Sequence, residues 1–202
     1  GVTRELRTAV EVQVQKYGVE KKSLLMNASH THCGPELRSE RLLRMGIDSR
    51  FAALSRQYVR WISTRIATLI GEVVSQVEPV RLFYSYARAG FAMNRRLPAA
   101  KGFINSPNPD GLTDHQVPVL RVENQAGELK TVLFGYACHA TTLSFQKLCG
   151  DYPGFAQQFV QDAHPGTIAM FMNGCSADQN PYPRRTLDLA KQHGRALANG
   201  VE

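Results

Sequence analysis

At 202 residues, with 43% hydrophobic and 20% charged side chains, the chain has the balance of a globular protein, which excludes intrinsic disorder and leaves material for one sizeable core. No apolar run approaches the roughly 20 residues that a membrane-spanning helix needs. The net charge of +7 is spread over scattered Lys and Arg with neither a dense basic run nor a nucleic-acid motif, so it reads as a solvated surface with some attraction for anionic ligands or membrane surfaces.

Residues 3 to 17 place Leu6, Val10, Val14 and Tyr17 at helical spacing, with Gly18 as a stop. KSLLMNAS then reads as a buried strand that delivers His30 and His32. In such a strand, residues two apart project to one side, so the two imidazoles could share a metal, or one could bind it while the other handles a reacting group. A helix is expected from the N-cap Asp48 to about Gln76, with the buried stripe Phe51, Leu54, Tyr58, Ile62, Ile66, Leu69 and Val73. VRLFYSYARAG is a strand, and residues 94 to 116 form a long loop heavy in Pro, Gly and Asn, the kind of segment that often carries function.

VPVLRVEN and LKTVLFGYAC form a β-hairpin around QAGE, and its second strand ends at His139. A helix follows over about Pro153 to Ala163, then the buried strand TIAMFMN, the tight loop GCSADQNPYPRR and a helix from Leu187. The order predicts an α/β protein: a mixed β-sheet core with flanking helices and an active site at the carboxyl ends of strands. SLLMNAS, TVLFGYAC and TIAMFMN each end abruptly in a polar cluster, HTHCGPE, HATT and NGCSADQNP, and in α/β sheets sites assemble at such ends.

Other polar residues have plainer readings. His115, His164 and His193 are structural; Asp151 is either a helix N-cap or a site residue. Cys33, Cys138, Cys149 and Cys175 are too few and too dispersed for a disulfide scaffold, and they suit small packing positions near a crowded site. The chain starts at Gly1 and stops at Glu202, each within a helical pattern, so it reads as one domain truncated at both ends.

Taken together, the clusters resemble the neutral/alkaline (non-lysosomal) ceramidase family. ASHTHCGPE is similar to that family's A-T/S-H-T-H-S-G-P segment, AMNRR to its N-R segment and FGYACHATTL to its strand ending in H-x-T-S. CGDYPGFAQQF resembles its D-x-x-G-x-A segment and NGCSADQNP its G-D-x-S-P loop, all in the family's order.

The resemblance implies part of a catalytic domain of a zinc-dependent amide hydrolase that cuts the N-acyl bond of ceramide, secreted or periplasmic. Zn2+ would be held by His30 and His139, with a Glu and a Tyr from later in the family's chain. His32 would hydrogen-bond the reacting carbonyl, and Arg95 (or Arg96, one position on) would help hold the site. One departure matters: aligning ADQNP on its Asp and Pro puts Asn180 where the family has its serine nucleophile, and Ser176 lies four residues earlier.

Asn is not an acyl-transfer nucleophile, though its amide can donate to an oxyanion. Three functions therefore follow: cleavage of ceramide or a related N-acyl lipid; hydrolysis of another amide or ester by metal-activated water, with Asp178 as base or partner of a ligating His; or a non-catalytic scaffold that binds lipid or glycan. Asp178 has a plainer reading as a loop cap before Pro181.

Overall fold

The computed structural model describes residues 1–202, which fall into two compact units. The first comprises Gly1–Ala28 and Pro35–Glu78; the second comprises Ser29–Gly34 and Pro79–Glu202.

The first unit is helical. Helix α1 (Arg4–Val14) opens on Thr3, whose hydroxyl accepts from Leu6 N–H at 3.1 Å. A 3-10 turn over Gln15–Tyr17 closes on Gly18, whose φ of 76° is the left-handed conformation that glycine takes without steric cost. Helix α2 (Ser39–Arg44) is short, and α3 (Ser49–Val74) is long, with Asp48 capping Arg50 N–H at 2.8 Å. Leu6, Val10 and Val14 pack with Val59 and Ala67, as the α1 periodicity predicts.

Two expectations change here. The strand over KSLLMNAS does not form: after a 3-10 turn at Lys21–Ser23 the chain is irregular, no strand pairs with it, and Leu25 is 79% exposed. Leu24 and Met26 instead pack on the α1–α3 cluster. The face of α3 that is buried is its small one, Ala52, Ser55, Val59, Ser63 and Ala67. Small side chains let helices approach closely, so of the expected stripe Ile62 and Ile66 are half-buried, while Phe51, Leu54, Leu69 and Val73 are exposed.

The second unit is the predicted α/β structure. Strands β1 (Val80–Arg88), β5 (Gln116–Asn124), β6 (Leu129–Tyr136) and β7 (Ile168–Asn173) make one mixed sheet in the order β1-β5-β6-β7. The first two pairings are antiparallel and β6–β7 is parallel. The crossover between β6 and β7 contains α4 (Asp151–Ala163), and α5 (Leu187–Val201) follows. The long loop 94–116 is not without structure. It holds the end of β2 (Ala92–Asn94) and a small hairpin, β3 (Arg96–Ala99) with β4 (Gly102–Asn105), while β2 pairs with β8 (Gln179–Pro181).

The core lies on one face of the sheet. Val117, Val132, Phe134, Tyr136 and Ala169 meet Tyr152, Ala156 and Val160 of α4 and Leu197 of α5. The other face carries Leu82, Tyr84, Tyr86, Ile168 and Met170, all exposed. Helices α4 and α5 approach closely at Gly194, where an added Cβ would stand 2.5 Å from Phe155 Cβ and 3.0 Å from the backbone of Tyr152 and Ala156. Backbone cannot yield as a flexible side chain can. Gly194→Ala should therefore destabilise the fold by about 1–3 kcal/mol, and Gly194→Val by more, as shifts in the denaturant midpoint.

Asp151 ties the β6–α4 connection to the helix. It is fully buried, with φ of 57°, and its carboxylate accepts from Thr142, Leu143 and Tyr152 N–H at 3.3, 2.8 and 2.7 Å. Asp151→Ala would leave three buried donors unsatisfied, a loss of roughly 3 kcal/mol or more. Asp151→Asn keeps one acceptor oxygen and should fall between the two in urea unfolding.

Candidate metal centre

Parallel pairing of β6 and β7 puts both carboxyl ends on one edge of the sheet. Ala137, Cys138 and His139 leave β6 there, and residues 174–178 leave β7 beside them, with Gly174 N–H donating to Tyr136 O at 3.0 Å. Pairing continues past the strands, since His139 N–H donates to Gln179 O at 3.0 Å.

The segment His30-Thr31-His32 joins this edge by the middle residue. Thr31 Oγ1 donates to Cys149 O at 2.9 Å and accepts from Cys33 N–H at 3.2 Å, and Cys149 N–H donates to Cys33 O at 3.0 Å. The histidines on either side of it reach one cluster, although no strand is present to alternate them. His30 adopts φ of 60°, a left-handed conformation that costs a non-glycine residue on the order of 1 kcal/mol or more and is held by these contacts.

His30, His32 and His139 come together, their potential ligand atoms all within 4.8 Å of one another. His30 and His32 Nε2 are 3.2 Å apart. Two nitrogens on a tetrahedral zinc, each at about 2.0–2.1 Å, stand about 3.3–3.4 Å apart, so that spacing fits a shared ion. The His30 and His139 rings meet edge to face with centroids 4.8 Å apart.

The tautomer of His139 is set by its backbone neighbour. Nδ1 faces the carbonyl oxygen of Ser176, which can only accept, so Nδ1 carries the proton and Nε2 keeps its lone pair. Burial pushes the imidazole down to about 4, Arg95, His30 and His32 push the same way, and the Ser176 carbonyl opposes them. A neutral imidazole with a free Nε2 is the form that ligates a metal.

The remaining expected site residues are placed as follows. Asn180 is buried in β8; its Oδ1 accepts from Thr141 Oγ1 at 3.2 Å and Arg95 Nη1 at 3.4 Å, and its Nδ2 donates to Asn105 Oδ1 at 3.4 Å. Ser176 is also buried, but its hydroxyl accepts from Asn173 Nδ2 at 3.0 Å, and it reaches His139 by its backbone carbonyl alone. Arg95 is half-buried and braces the loop: its N–H donates to Asp178 O at 2.8 Å and its Nε to Ala177 O at 2.9 Å. Arg96 Nη2 reaches the same Ala177 carbonyl at 3.2 Å. Asp178 is exposed and acts on Arg95 through its charge.

Thr141, Asn105 and Arg184 were not singled out by the sequence. Thr141 had a signal, two positions beyond His139, whereas Asn105 and Arg184 are brought in only by the β3–β4 hairpin and the turn after β8. His193 is structural as expected, stacked on Phe91 at 4.6 Å with Nε2 bonded to Pro183 O at 2.6 Å.

No protein-family model matches the chain, and no curated protein matches it by sequence. Among solved structures, it superposes on neutral ceramidase from Pseudomonas aeruginosa with a TM-score of 0.72 at 18% identity, covering 99% of this chain and 34% of that one. A ceramidase complexed with C2 gives 0.71 at 21% identity, covering 98% and 33%. The chain thus spans about a third of the length of both ceramidases and shares the fold of that third.

Proposed function

We propose that residues 1–202 form part of a single catalytic domain of a zinc-dependent hydrolase that cleaves the N-acyl linkage of ceramide or a related N-acyl lipid. One observation carries this reading: three histidines with ligand atoms within 4.8 Å stand on a fold shared with neutral ceramidase. Bound zinc would supply Lewis acidity toward the acyl carbonyl.

The chain's own residues do the rest. His30 and His139 hold the ion, His139 through the Nε2 that Ser176 leaves free. His32, beside His30, presents a ring nitrogen to the reacting carbonyl or its oxyanion. Arg95 braces residues 177–178 and adds positive charge where negative charge develops, and the Asn180 amide orients groups at the same place. A donor so placed is worth roughly 10²–10³ in rate. No nucleic acid takes part.

Asn180 favours a second reading of the same site, in which water and not a side chain attacks, and the substrate is another amide or ester. The two readings part on the loop. If water is the nucleophile, Ser176→Ala should leave kcat within about threefold, since its hydroxyl pairs with Asn173. Asn180→Ser should raise turnover of a short-chain fluorescent ceramide by placing a hydroxyl beside Thr141 and Arg95. Loss of all turnover in Ser176→Ala would restore a serine mechanism.

The metal is tested separately. Wild-type protein titrated with zinc should bind one ion per chain, and His30→Ala and His139→Ala should each lower affinity at least about tenfold with the circular dichroism spectrum retained. A chelator should abolish hydrolysis. Unchanged zinc affinity in both variants would sink the site, and chelator-insensitive turnover would sink the metal's part in the reaction.

A further inference from the structure

Beside the histidine cluster lies a small cleft lined by Arg95, Asn105, Ser106, Asn180, Tyr182 and Arg184. Its charge is unbalanced. No carboxylate stands within ion-pair distance of Arg95, Arg96, Arg184 or Arg185. Arg184 is half-buried and makes no hydrogen bond within the chain. Burial pushes both guanidinium pKa values down; Arg96 adds to this at Arg95, where the charge of Asp178 opposes it, and Arg185 and Arg95 add to it at Arg184.

Two guanidiniums that repel each other in a partly dehydrated cleft are costly unless an anion joins them. Asp178, the carboxylate whose charge acts on Arg95, is exposed and makes no ion pair. The cleft also offers neutral hydrogen-bonding groups, the Asn105 and Asn180 amides and the Ser106 hydroxyl, that complete an oxyanion's shell. It connects to the chemistry through one residue: Asn180 bonds both Arg95 and Thr141, two positions beyond His139.

We propose that the Arg95–Arg184 cleft is a subsite for an anionic group of the substrate, a carboxylate or phosphate carried on the amine side of the scissile amide. This deepens the hydrolase reading and rests on it for the placement of that amide. The substrate class is then an N-acyl amino acid or a phosphate-bearing N-acyl amine.

Binding separates the two claims, because it needs neither metal nor turnover. Calorimetry on the chain would compare N-octanoylglycine, N-octanoylethanolamine and the O-phosphate of the latter. At least one anionic ligand should bind about tenfold more tightly than the neutral one, and the better of the two identifies the oxyanion. Arg184→Gln should remove that preference, and Arg184→Lys, which keeps the charge and loses the planar fork, should retain part of it. Folding of both variants is checked by circular dichroism, and if Arg184→Gln does not fold, the lysine variant alone decides by the fall in preference. Equal affinity for the three ligands, no binding of any, or a preference unchanged in the variants would overturn the subsite. A preference that persists without hydrolysis of any of them would overturn the hydrolase reading and leave the subsite standing.

Discussion

The candidate site depends on the parallel pairing of β6 with β7. An antiparallel neighbour would send the two chain exits to opposite edges of the sheet; the α4 crossover instead returns the chain so that both strands run the same way. His139 and the carbonyl of Ser176 then face each other across adjacent exits. That contact selects the tautomer of His139, and burial keeps the ring neutral. The pairing thus fixes the His139 part of the site: a ring nitrogen that the Ser176 carbonyl leaves free, beside the loop that Arg95 braces.

Bringing His30 and His32 to the same place is a separate problem, solved by side-chain and backbone bonds where a sheet could have served. Thr31 is bonded at both its donor and acceptor sites, and the paired backbones of Cys33 and Cys149 hold the segment against the β6–α4 connection. That connection is in turn fixed by the buried Asp151. The histidine pair therefore rests on a chain of local bonds, which tolerates the left-handed backbone at His30.

Much of this was legible in the sequence, and the failures have a common cause. Periodicity found α1, α3, α4, α5, the β5–β6 hairpin and β7, because each element has a pattern of its own. The polar clusters at His139 and Ser176 were readable as strand exits for the same reason. What apolar content cannot say is which apolar residues are covered. SLLM looked like a strand although no neighbour pairs with it, and on α3 the larger residues looked like the core face although the smaller ones permit close packing. H-x-H still marked two imidazoles that come together, but the bonds of Thr31 and the left-handed backbone at His30 bring them there, not the alternation of a strand. Asn105 and Arg184 were out of reach because they join the site only through a short β3–β4 hairpin inside a loop rich in Pro, Gly and Asn and through the long-range pairing of β2 with β8.

Asn180 links these features. A hydroxyl at this position could act as a nucleophile; an amide cannot, but it can accept from a guanidinium and a hydroxyl at once, as Asn180 Oδ1 does from Arg95 and Thr141. The residue thereby couples the cationic cleft to the residues that follow His139. Two guanidiniums without an ion-pair partner are a standing cost in the free protein, so the proposed anion subsite accounts for them by bringing the missing negative charge. Burial is the main cause that keeps the His139 ring neutral, the form that a metal requires, and the positive charge of Arg95 adds to it. Anion recognition and metal ligation, both proposed for this edge of the sheet, make compatible demands on it, and the Asn180 amide, bonded to Arg95 and Thr141 at once, stands between them.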